Sequence, residues 1–295
     1  MEIRVLRYFI AVANEENISA AAKQLHLSQP TLSRQLQELE MELGTTLFIR
    51  GNRKITLTEE GIFLLEKAKE IVELANKTEA KFKESKEMVN GDIYIGCGET
   101  DAMHFIARTL KELLAAYPSI RFHLYSGNAD DIASKLDSGL LDFGVVIEPT
   151  DKHKYDFIKL PDTDVWGVLM RKDSPLAQKP FIQPIDIMDK PLLISRQTTV
   201  SNELSGWLGQ PMENLNIVAT YNLIYNASLM VEEYIGYALC LDKLINTSGT
   251  SNLCFKPLSP RLEANLNLVW KKHQVFSNAA KRFLDQLRIK IKMAT

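Results

Sequence analysis

Residues 20–36 read AAAKQLHLSQPTLSRQL, and this stretch decides the fold of the N-terminal part of the chain. Its alanine run lets another helix backbone approach closely, and residues 26–27 predict a turn. Ser28 is a favoured N-cap residue, and Pro30 falls in a first helical turn, where a missing N–H costs little. The stretch therefore predicts two helices joined by a turn, with Ser19 as the cap of the first.

The second of these helices is predicted to be amphipathic. Leucines recur at helical spacing and form one stripe, which ends at Gly44: Leu32, Leu36, Leu39 and Leu43. The other faces carry amides, hydroxyls and a guanidinium, on Gln29, Thr31, Ser33, Arg34 and Gln35. Arginine can grip guanine and glutamine can pair with adenine in the major groove of DNA. A solvated helix face is the alternative interpretation.

A short basic hairpin is predicted next. Residues 47–50 and 54–57 read as two strands around a Gly-Asn turn. No acidic residue lies between Gly44 and Leu57, so the cations Arg50, Arg53 and Lys54 stand together. Helix, turn, helix and hairpin together predict a winged helix-turn-helix, with Arg53 in the minor groove and the other two cations on phosphates.

A long helix is predicted from Thr58 to about residue 89. Thr58 can cap it, and Glu59 and Glu60 favour its positive end. Apolar and small residues then follow one another at alternating spacings of four and three: Leu64, Ala68, Ile71, Ala75, Thr78, Phe82 and Ser85. This spacing is typical of a coiled-coil seam, so we expect a dimer helix. A helix that packs only on its own domain is the alternative.

Beyond residue 90 the pattern alternates strand and helix, which predicts mainly parallel α/β sheets. The expected strands are 92–97, 120–125, 140–147, 165–170, 192–195, 216–221, 238–241 and 266–270. Three loops that follow strands carry small polar side chains, at 96–101, 126–128 and 195–201. Ligands of open α/β sheets lie outside the carboxyl ends of strands, so we expect these loops to face one cleft.

The ordered motifs of residues 20–61 resemble the DNA-binding signature of the LysR family of bacterial transcription regulators. The match continues after residue 36 with Leu39-Glu40, Leu43-Gly44, Leu47-Phe48-Ile49-Arg50 and Leu57-Thr58-Glu59-Glu60-Gly61. The resemblance assigns Gln29, Pro30, Ser33 and Arg34 to base contacts, whereas Thr31 and Gln35 are expected on phosphates.

The resemblance also implies a fold and a domain order. The chain is expected to be α/β with an N-terminal all-α winged helix-turn-helix (1–58), a long linker helix (59–90) and a two-lobed, periplasmic-binding-protein-like effector domain (91–295). Lobe 1 is expected at about 91–161 plus 266–295, because the C-terminal segment of the family returns to it, and lobe 2 at about 162–265.

The function that the resemblance implies is sequence-specific regulation of transcription, modulated by a small-molecule effector bound between the two lobes. Double-stranded DNA and the effector are the expected ligands, a homodimer or homotetramer (a dimer of dimers) the expected assembly, and RNA polymerase a candidate partner. No catalytic role and no cofactor are expected.

The three cleft loops give the expected effector contacts: Thr100, Asn128, Arg196, Thr198, Thr199 and Ser201. Arg196 and two helix N-termini favour a carboxylate, whereas Glu99 could pair with an amino group, so an amino acid-like effector would satisfy both. Thr100 and Ser201 could equally be helix caps without ligand contact.

The remaining features limit other classes of function. The net charge is -2, so overall charge argues weakly against DNA binding. Three scattered cysteines favour free thiols in a reducing cytosol, and scattered histidines argue against a metal site. Cys97, between two glycines, is the candidate for a redox role. A ligand-binding protein with assembly helices is the second interpretation; an enzyme using Glu99 and Asp101 is the third.

Overall fold

The computed structural model describes residues 1–51, 54–83, 89–148, 151, 153–196 and 202–294. The chain divides into two compact units, Met1–Glu84 and Ser85–Thr295. Each unit has its own apolar core.

The first unit is a helical domain with a two-stranded hairpin. Its elements are α1 (Ile3–Glu15), α2 (Ile18–Gln24), α3 (Gln29–Leu43), β1 (Phe48–Arg50), β2 (Ile55–Leu57) and α4 (Glu59–Lys83). The strands β1 and β2 are antiparallel, with Phe48 opposite Leu57. Phe9 of α1 and Leu32 of α3 are fully buried between the helices. The predicted winged helix-turn-helix is therefore confirmed.

The helix ends show which capping predictions were right. Ser28 caps α3, since its hydroxyl accepts a hydrogen bond from the Thr31 N–H at 3.3 Å. Gly44 ends α3 with a φ of +68°, a left-handed conformation that suits glycine. Ser19 is not the cap of α2. Asn17 is, because its extended backbone precedes the helix and its Oδ1 accepts from the Ala20 N–H at 3.0 Å.

The burial of side chains on helix α4 changes along its length. Thr58 caps it as predicted, accepting from the Gly61 N–H at 3.0 Å. Leu64 and Ala68 are buried in the core of the first unit, so the first part of the predicted seam packs on its own domain. Beyond them Ile71 and Phe82 are exposed in the single chain.

The second unit consists of strands β3 to β11 and helices α5 to α10, with 3-10 turns at Pro175–Gln178 and Met212–Asn214. In chain order these elements are β3 (Gly91–Cys97), α5 (Met103–Ala116), β4 (Ile120–Ser126), α6 (Ala129–Asp137), β5 (Phe143–Ile147), β6 (Tyr155–Arg171), α7 (Pro184–Ile187), β7 (Leu192–Ser195), α8 (Asn202–Leu208), β8 (Ile217–Tyr221), α9 (Ile224–Glu232), β9 (Tyr237–Leu241), β10 (Leu253–Pro257), β11 (Glu263–Lys271) and α10 (Asn278–Ala294).

The sheet of the second unit is mixed, which corrects the prediction of mainly parallel sheets. Its strand order is β4-β3-β5-β11-β6-β9-β7-β8, with β10 paired to β6. The pairs β3–β4, β3–β5, β7–β8 and β7–β9 are parallel. The strands β6 and β11 pair antiparallel with each other and with their other neighbours. Parallel pairing thus holds within each half only.

Two apolar cores lie on either side of these antiparallel strands. One contains Phe143 and Phe283, and the other contains Ile194 and Leu239. The first half of β6 pairs with β11, and its second half pairs with β9 and β10. The long strand β6 therefore runs from one half of the unit into the other, which gives the expected two-lobed architecture.

Candidate DNA interface and effector cleft

The helix α3 presents a polar face to solvent. Leu32, Leu36 and Leu39 are buried, at 0%, 1% and 2% exposure, whereas Leu43 of the predicted stripe is 41% exposed, because it lies at the last position of the helix. Helical geometry then turns the predicted base-contact residues outward: Gln29, Pro30 and Arg34 are exposed and Ser33 is half-buried. Of the two predicted phosphate contacts, Thr31 is exposed and Gln35 is half-buried. The predicted contact residues of α3 therefore lie on one accessible surface.

Glu38 accepts hydrogen bonds from two side chains of this face. Its Oε1 accepts from the Arg34 Nε at 2.9 Å, and its Oε2 accepts from the Gln35 Nε2 at 2.6 Å. The Arg34–Glu38 pair is a surface ion pair one helical turn apart, with the Arg34 side chain 80% exposed. Such pairs contribute about 0–1 kcal/mol, so the guanidinium can leave Glu38 for a base edge at little cost.

Of the three hairpin cations, Lys54 is the one that the structure describes in full. Its ammonium pairs with Glu16, whose carbonyl also accepts from the Ile55 N–H at 2.9 Å. The backbone of Arg50 lies in β1. Arg53 lies outside the described residues, so its predicted minor-groove position stays a prediction.

The second unit contains a cleft at the predicted place. Its described lining comes from all three predicted loops, from strands β5, β6, β8, β9 and β11, from helices α6 and α9, and from two further loop residues. The lining residues are Gly98, Glu99, Thr100, Gly127, Ala129, Ile132, Val145, Val146, Ile147, Trp166, Ser195, Tyr221, Asn222, Ile224, Cys240, Leu241, Leu244 and Leu266. The cavity has a volume of about 50 Å³ and opens to solvent. The convergence of the three loops is confirmed for these residues.

Thr100 both caps a turn and lines the cavity. Its hydroxyl donates to Asp164 Oδ2 at 2.5 Å and accepts from the Ala102 N–H at 3.1 Å. The side chain of Asp164 is buried in β6, and its Oδ1 has no hydrogen-bond partner among the described residues. Burial raises the pKa of Asp164 to about 6, and Asp242 and Asp101 add to the shift.

Asn128 has a structural role. Its Oδ1 accepts from the Asp131 N–H at 2.8 Å, and its own N–H donates to Asp131 Oδ2 at 3.3 Å. This reciprocal pair is a capping box at the start of α6. The neighbours Gly127 and Ala129 line the cavity, whereas Asn128 is absent from its described lining.

The third predicted loop is described only in part. Ser195 lines the cavity, and Arg196 is exposed. Thr198, Thr199 and Ser201 lie outside the described residues. Their predicted effector contacts stay predictions.

Glu99 connects the two lobes. Its Oε2 accepts a hydrogen bond from the N–H of Ile224, the first residue of α9. Burial raises the pKa of Glu99, against the lowering effect of that N–H. An acceptor at a helix N-terminus satisfies a backbone N–H that has no partner within the helix.

Four further residues line the cavity and were not predicted from the sequence: Trp166, Tyr221, Ile224 and Cys240. Tyr221 ends β8 and Ile224 begins α9, so they lie at the carboxyl edge of a strand, where cleft residues are expected. That positional signal was available in the sequence. Trp166 lies on β6, and only the pairing of strands places it there.

Cys97 does not have the character of a redox sensor. Burial raises the pKa of its thiol to about 12, with Glu99 and Asp164 adding to the shift. Oxidation proceeds through the thiolate, which this environment disfavours.

All three cysteines are free, as expected. The described residues contain no cluster of three or more side chains that could hold a metal ion. Within the described part of the chain, no helix has the length and apolar character needed to cross a membrane.

A helix-turn-helix with an accessible polar helix, combined with a two-lobed domain around a cleft, defines a ligand-responsive DNA-binding regulator. The chain belongs to the LysR family. The model described as "LysR substrate binding domain" matches residues 86–291, and the model "Bacterial regulatory helix-turn-helix protein, lysR family" matches residues 3–62. The protein is thus a DNA-binding transcription regulator, in a family of regulators and not of enzymes.

Individual relatives agree with this assignment. The chain is 34% identical over 197 residues to the HTH-type transcriptional regulator BsdA of Bacillus subtilis (strain 168), covering 66% of this chain and 67% of the relative. It is 28% identical to the Hca operon transcriptional activator HcaR of Escherichia coli (strain K12), over 93% of each chain. Full-length CbnR complexed with its target DNA has the same fold, with a TM-score of 0.73, 20% identity and 100% of each chain covered.

Proposed function

We propose that residues 1–58 read an operator sequence through α3, that residues 59–90 join two copies of the chain, and that residues 91–295 bind a small-molecule effector in the cleft. The observation that carries the DNA proposal is the accessible face of α3, where Gln29, Pro30, Ser33 and Arg34 meet base edges. Thr31 and Gln35, together with the hairpin cations Arg50, Arg53 and Lys54, complete the interface on phosphates and in the minor groove.

Selection of bound duplexes from a pool of random-sequence DNA, followed by gel shifts at several salt concentrations, tests this function. We expect one enriched motif, bound with an affinity that falls steeply as salt rises, because phosphate contacts release counterions. Arg34→Ala should weaken binding to the enriched duplex by about 1–3 kcal/mol, or roughly 5- to 150-fold.

A matched control is Arg261→Ala in the second unit. Arg261 is also an exposed arginine paired with a glutamate, Glu263, at 2.8 Å. The Arg261→Ala substitution should leave the DNA affinity unchanged. If no motif were enriched, or if Arg34→Ala bound as tightly as the parent, the assignment of α3 as the reading helix would be wrong, and helices that serve assembly would be favoured.

The effector is proposed to bind in the cleft between the lobes, where Thr100 contributes a hydroxyl and the apolar walls exclude water. Arg196, Thr198, Thr199 and Ser201 are proposed to complete the site from the third loop. Asn128 is proposed to act through the position of its loop, since its side chain caps α6. Closure of the lobes on the ligand would alter the angle between them.

We further propose a homodimer through α4 and a dimer of dimers in the functional assembly, with RNA polymerase as the partner that responds to the bound regulator. Three of the exposed apolar residues of α4, namely Ile71, Leu74 and Phe82, support the dimer. Because the proposed ligand is chromosomal DNA, the proposed location is the bacterial cytoplasm.

A further inference from the structure

The charge inside the cleft points to the chemistry of its ligand. Among the described residues that line the cavity, Glu99 is the one with a carboxyl group, and none of the others is a lysine, arginine or histidine. The other titratable lining groups are uncharged at neutral pH. Burial raises the pKa of Tyr221 well above its ordinary value and that of Cys240 to about 12. The described lining therefore contains one carboxyl group, that of Glu99, within a mostly apolar wall.

Glu99 occupies the position that a ligand carboxylate would need. Its Oε2 accepts the N–H of Ile224 at the start of α9, although the two residues are 125 positions apart in the chain. That N–H is the kind of donor that helix N-termini offer to anions. The second oxygen, Oε1, has no hydrogen-bond partner among the described residues. A carboxylate brought here would meet a like charge, whereas an ammonium group would meet a free acceptor.

Thr100 also offers an acceptor and not a donor. Its hydroxyl proton is directed to Asp164 Oδ2 at 2.5 Å, and one lone pair receives the Ala102 N–H. A hydroxyl oxygen has two lone pairs, so the group that remains for a ligand is an acceptor. The buried carboxylate of Asp164 directly behind Thr100 adds negative potential to this side of the cavity. Adjacent residues of one loop thus present acceptors to the ligand.

We propose that the effector of this cleft carries a protonated amino group, which donates hydrogen bonds to Glu99 and Thr100, beside a short apolar part that packs against Trp166 and Leu241. This inference rests on the proposed function, because it takes the cleft to be the effector site. Glu99 is half-buried in the free protein. A ligand that fills the cleft would remove the remaining water from its carboxylate, and a cationic group then supplies the partner that a desolvated carboxylate needs. The cavity volume of about 50 Å³ suits a group of a few heavy atoms.

Three probes of similar size separate the alternatives: n-propylammonium, propionate and n-propanol. Binding of each to the full chain can be measured at neutral pH and constant ionic strength by saturation-transfer NMR titration. We expect n-propylammonium to bind at least tenfold more tightly than the other two. Equal binding of all three, tighter binding of propionate, or no binding of n-propylammonium up to about 50 mM would each overturn the proposal.

Two variants test whether Glu99 causes the preference for n-propylammonium. Glu99→Gln keeps an oxygen for the Ile224 N–H and removes the charge, so it should lose at least tenfold in n-propylammonium affinity. Glu263→Gln removes one exposed carboxylate from the same unit and should bind like the parent. If Glu99→Gln kept the parent affinity, the proposal would be wrong. If Glu99→Gln unfolded, Glu99→Asp provides the second test: it keeps the charge and should keep the preference for the amine over propionate.

The same samples separate failure of this inference from failure of the proposed function. The affinity for the selected DNA duplex is measured with and without n-propylammonium. A changed affinity that is lost in Glu99→Gln supports both. If n-propylammonium binds at Glu99 but does not change the DNA affinity, the proposed ligand class is supported and the proposed effector role of the cleft is wrong. If the parent protein binds DNA but prefers propionate, only the proposed ligand class is wrong.

Discussion

Asp164 is a buried carboxyl whose protonation is coupled to its surroundings. It accepts the hydroxyl proton of Thr100, and burial raises its pKa to about 6. Asp242 and Asp101 raise this pKa further, while Thr100 and Lys243 lower it. The neutral form is therefore better tolerated in the folded protein than the charged form at this position.

A raised folded-state pKa fixes the sign of the pH effect on stability. The folded protein holds this proton more tightly than the unfolded chain, so the stability that Asp164 contributes is present below about pH 4 and is lost as pH rises through about 6. In Asp164→Asn the amide can donate to Thr100 and cannot ionise. The difference in unfolding free energy between variant and parent should therefore grow by about 1–3 kcal/mol from pH 4 to pH 8.

Urea unfolding of parent and variant at a series of pH values measures this difference. All other titrating groups are common to both proteins, so they cancel to first order. A difference that stayed constant across the range would show that Asp164 ionises as an ordinary carboxyl.

At the scale of elements, α4 contains two different surfaces. Leu64 and Ala68 are buried in the first unit, whereas Ile71 is 36% exposed and Phe82 is 86% exposed. Large exposed apolar side chains on one helix face are typical of an interface. The seam predicted from spacing is therefore free to contact a second copy only beyond Ala68.

Ile71→Asp should halve the mass of the assembly, because it places a charge in an apolar helix interface, where an unpaired ion is strongly unfavourable. Light scattering coupled to size-exclusion chromatography of the full chain measures the mass. Ala80→Asp introduces the same charge on an exposed position of α4 outside the seam and serves as the control. An unchanged mass for Ile71→Asp would exclude this face as the dimer contact.

Elements with a local signal were predictable from the sequence. The leucine stripe of α3 and its Ser28 cap are set by residues three or four positions apart. The structure has the cap and three leucines of the stripe, whereas Leu43, the last residue of the helix, is exposed. The strand β6 was predicted only as residues 165–170, although it spans Tyr155–Arg171. Its first half contains Asp156, Lys159 and Pro161, which weaken the local strand pattern, and pairing with β11 from a distant part of the chain stabilises it.

At the candidate site, too, local patterns were predictable from the sequence, whereas contacts between distant parts of the chain were not. The loops at the carboxyl ends of strands were predictable from topology, because parallel strands bring those ends together. The hydrogen bond from Ile224 to Glu99 was not, since it joins residues 125 positions apart. Asn128 has the residue type of a ligand contact, but Asp131 three residues later makes it a capping box. Residue type alone does not separate these two roles.

At the scale of the whole molecule, the chain contains two units whose cores share no residues. Phe9 is fully buried in the core of Met1–Glu84, and Phe283 is fully buried in that of Ser85–Thr295. The two cores of the second unit lie on one continuous sheet, whereas the two units share neither a core nor a sheet. Units without shared packing can unfold as separate transitions. A mutation in one core should then act on one transition.

Scanning calorimetry of the full chain should resolve two transitions. Phe9→Ala and Phe283→Ala each remove a fully buried aromatic ring, which costs about 3–5 kcal/mol in a packed core. We expect Phe9→Ala to lower only the transition of the first unit and Phe283→Ala only that of the second. The larger second unit should show the larger unfolding enthalpy, since this enthalpy scales with residue number. If either substitution moved both transitions equally, or if the parent unfolded in one step with matching calorimetric and van't Hoff enthalpies, the two units would be one cooperative body.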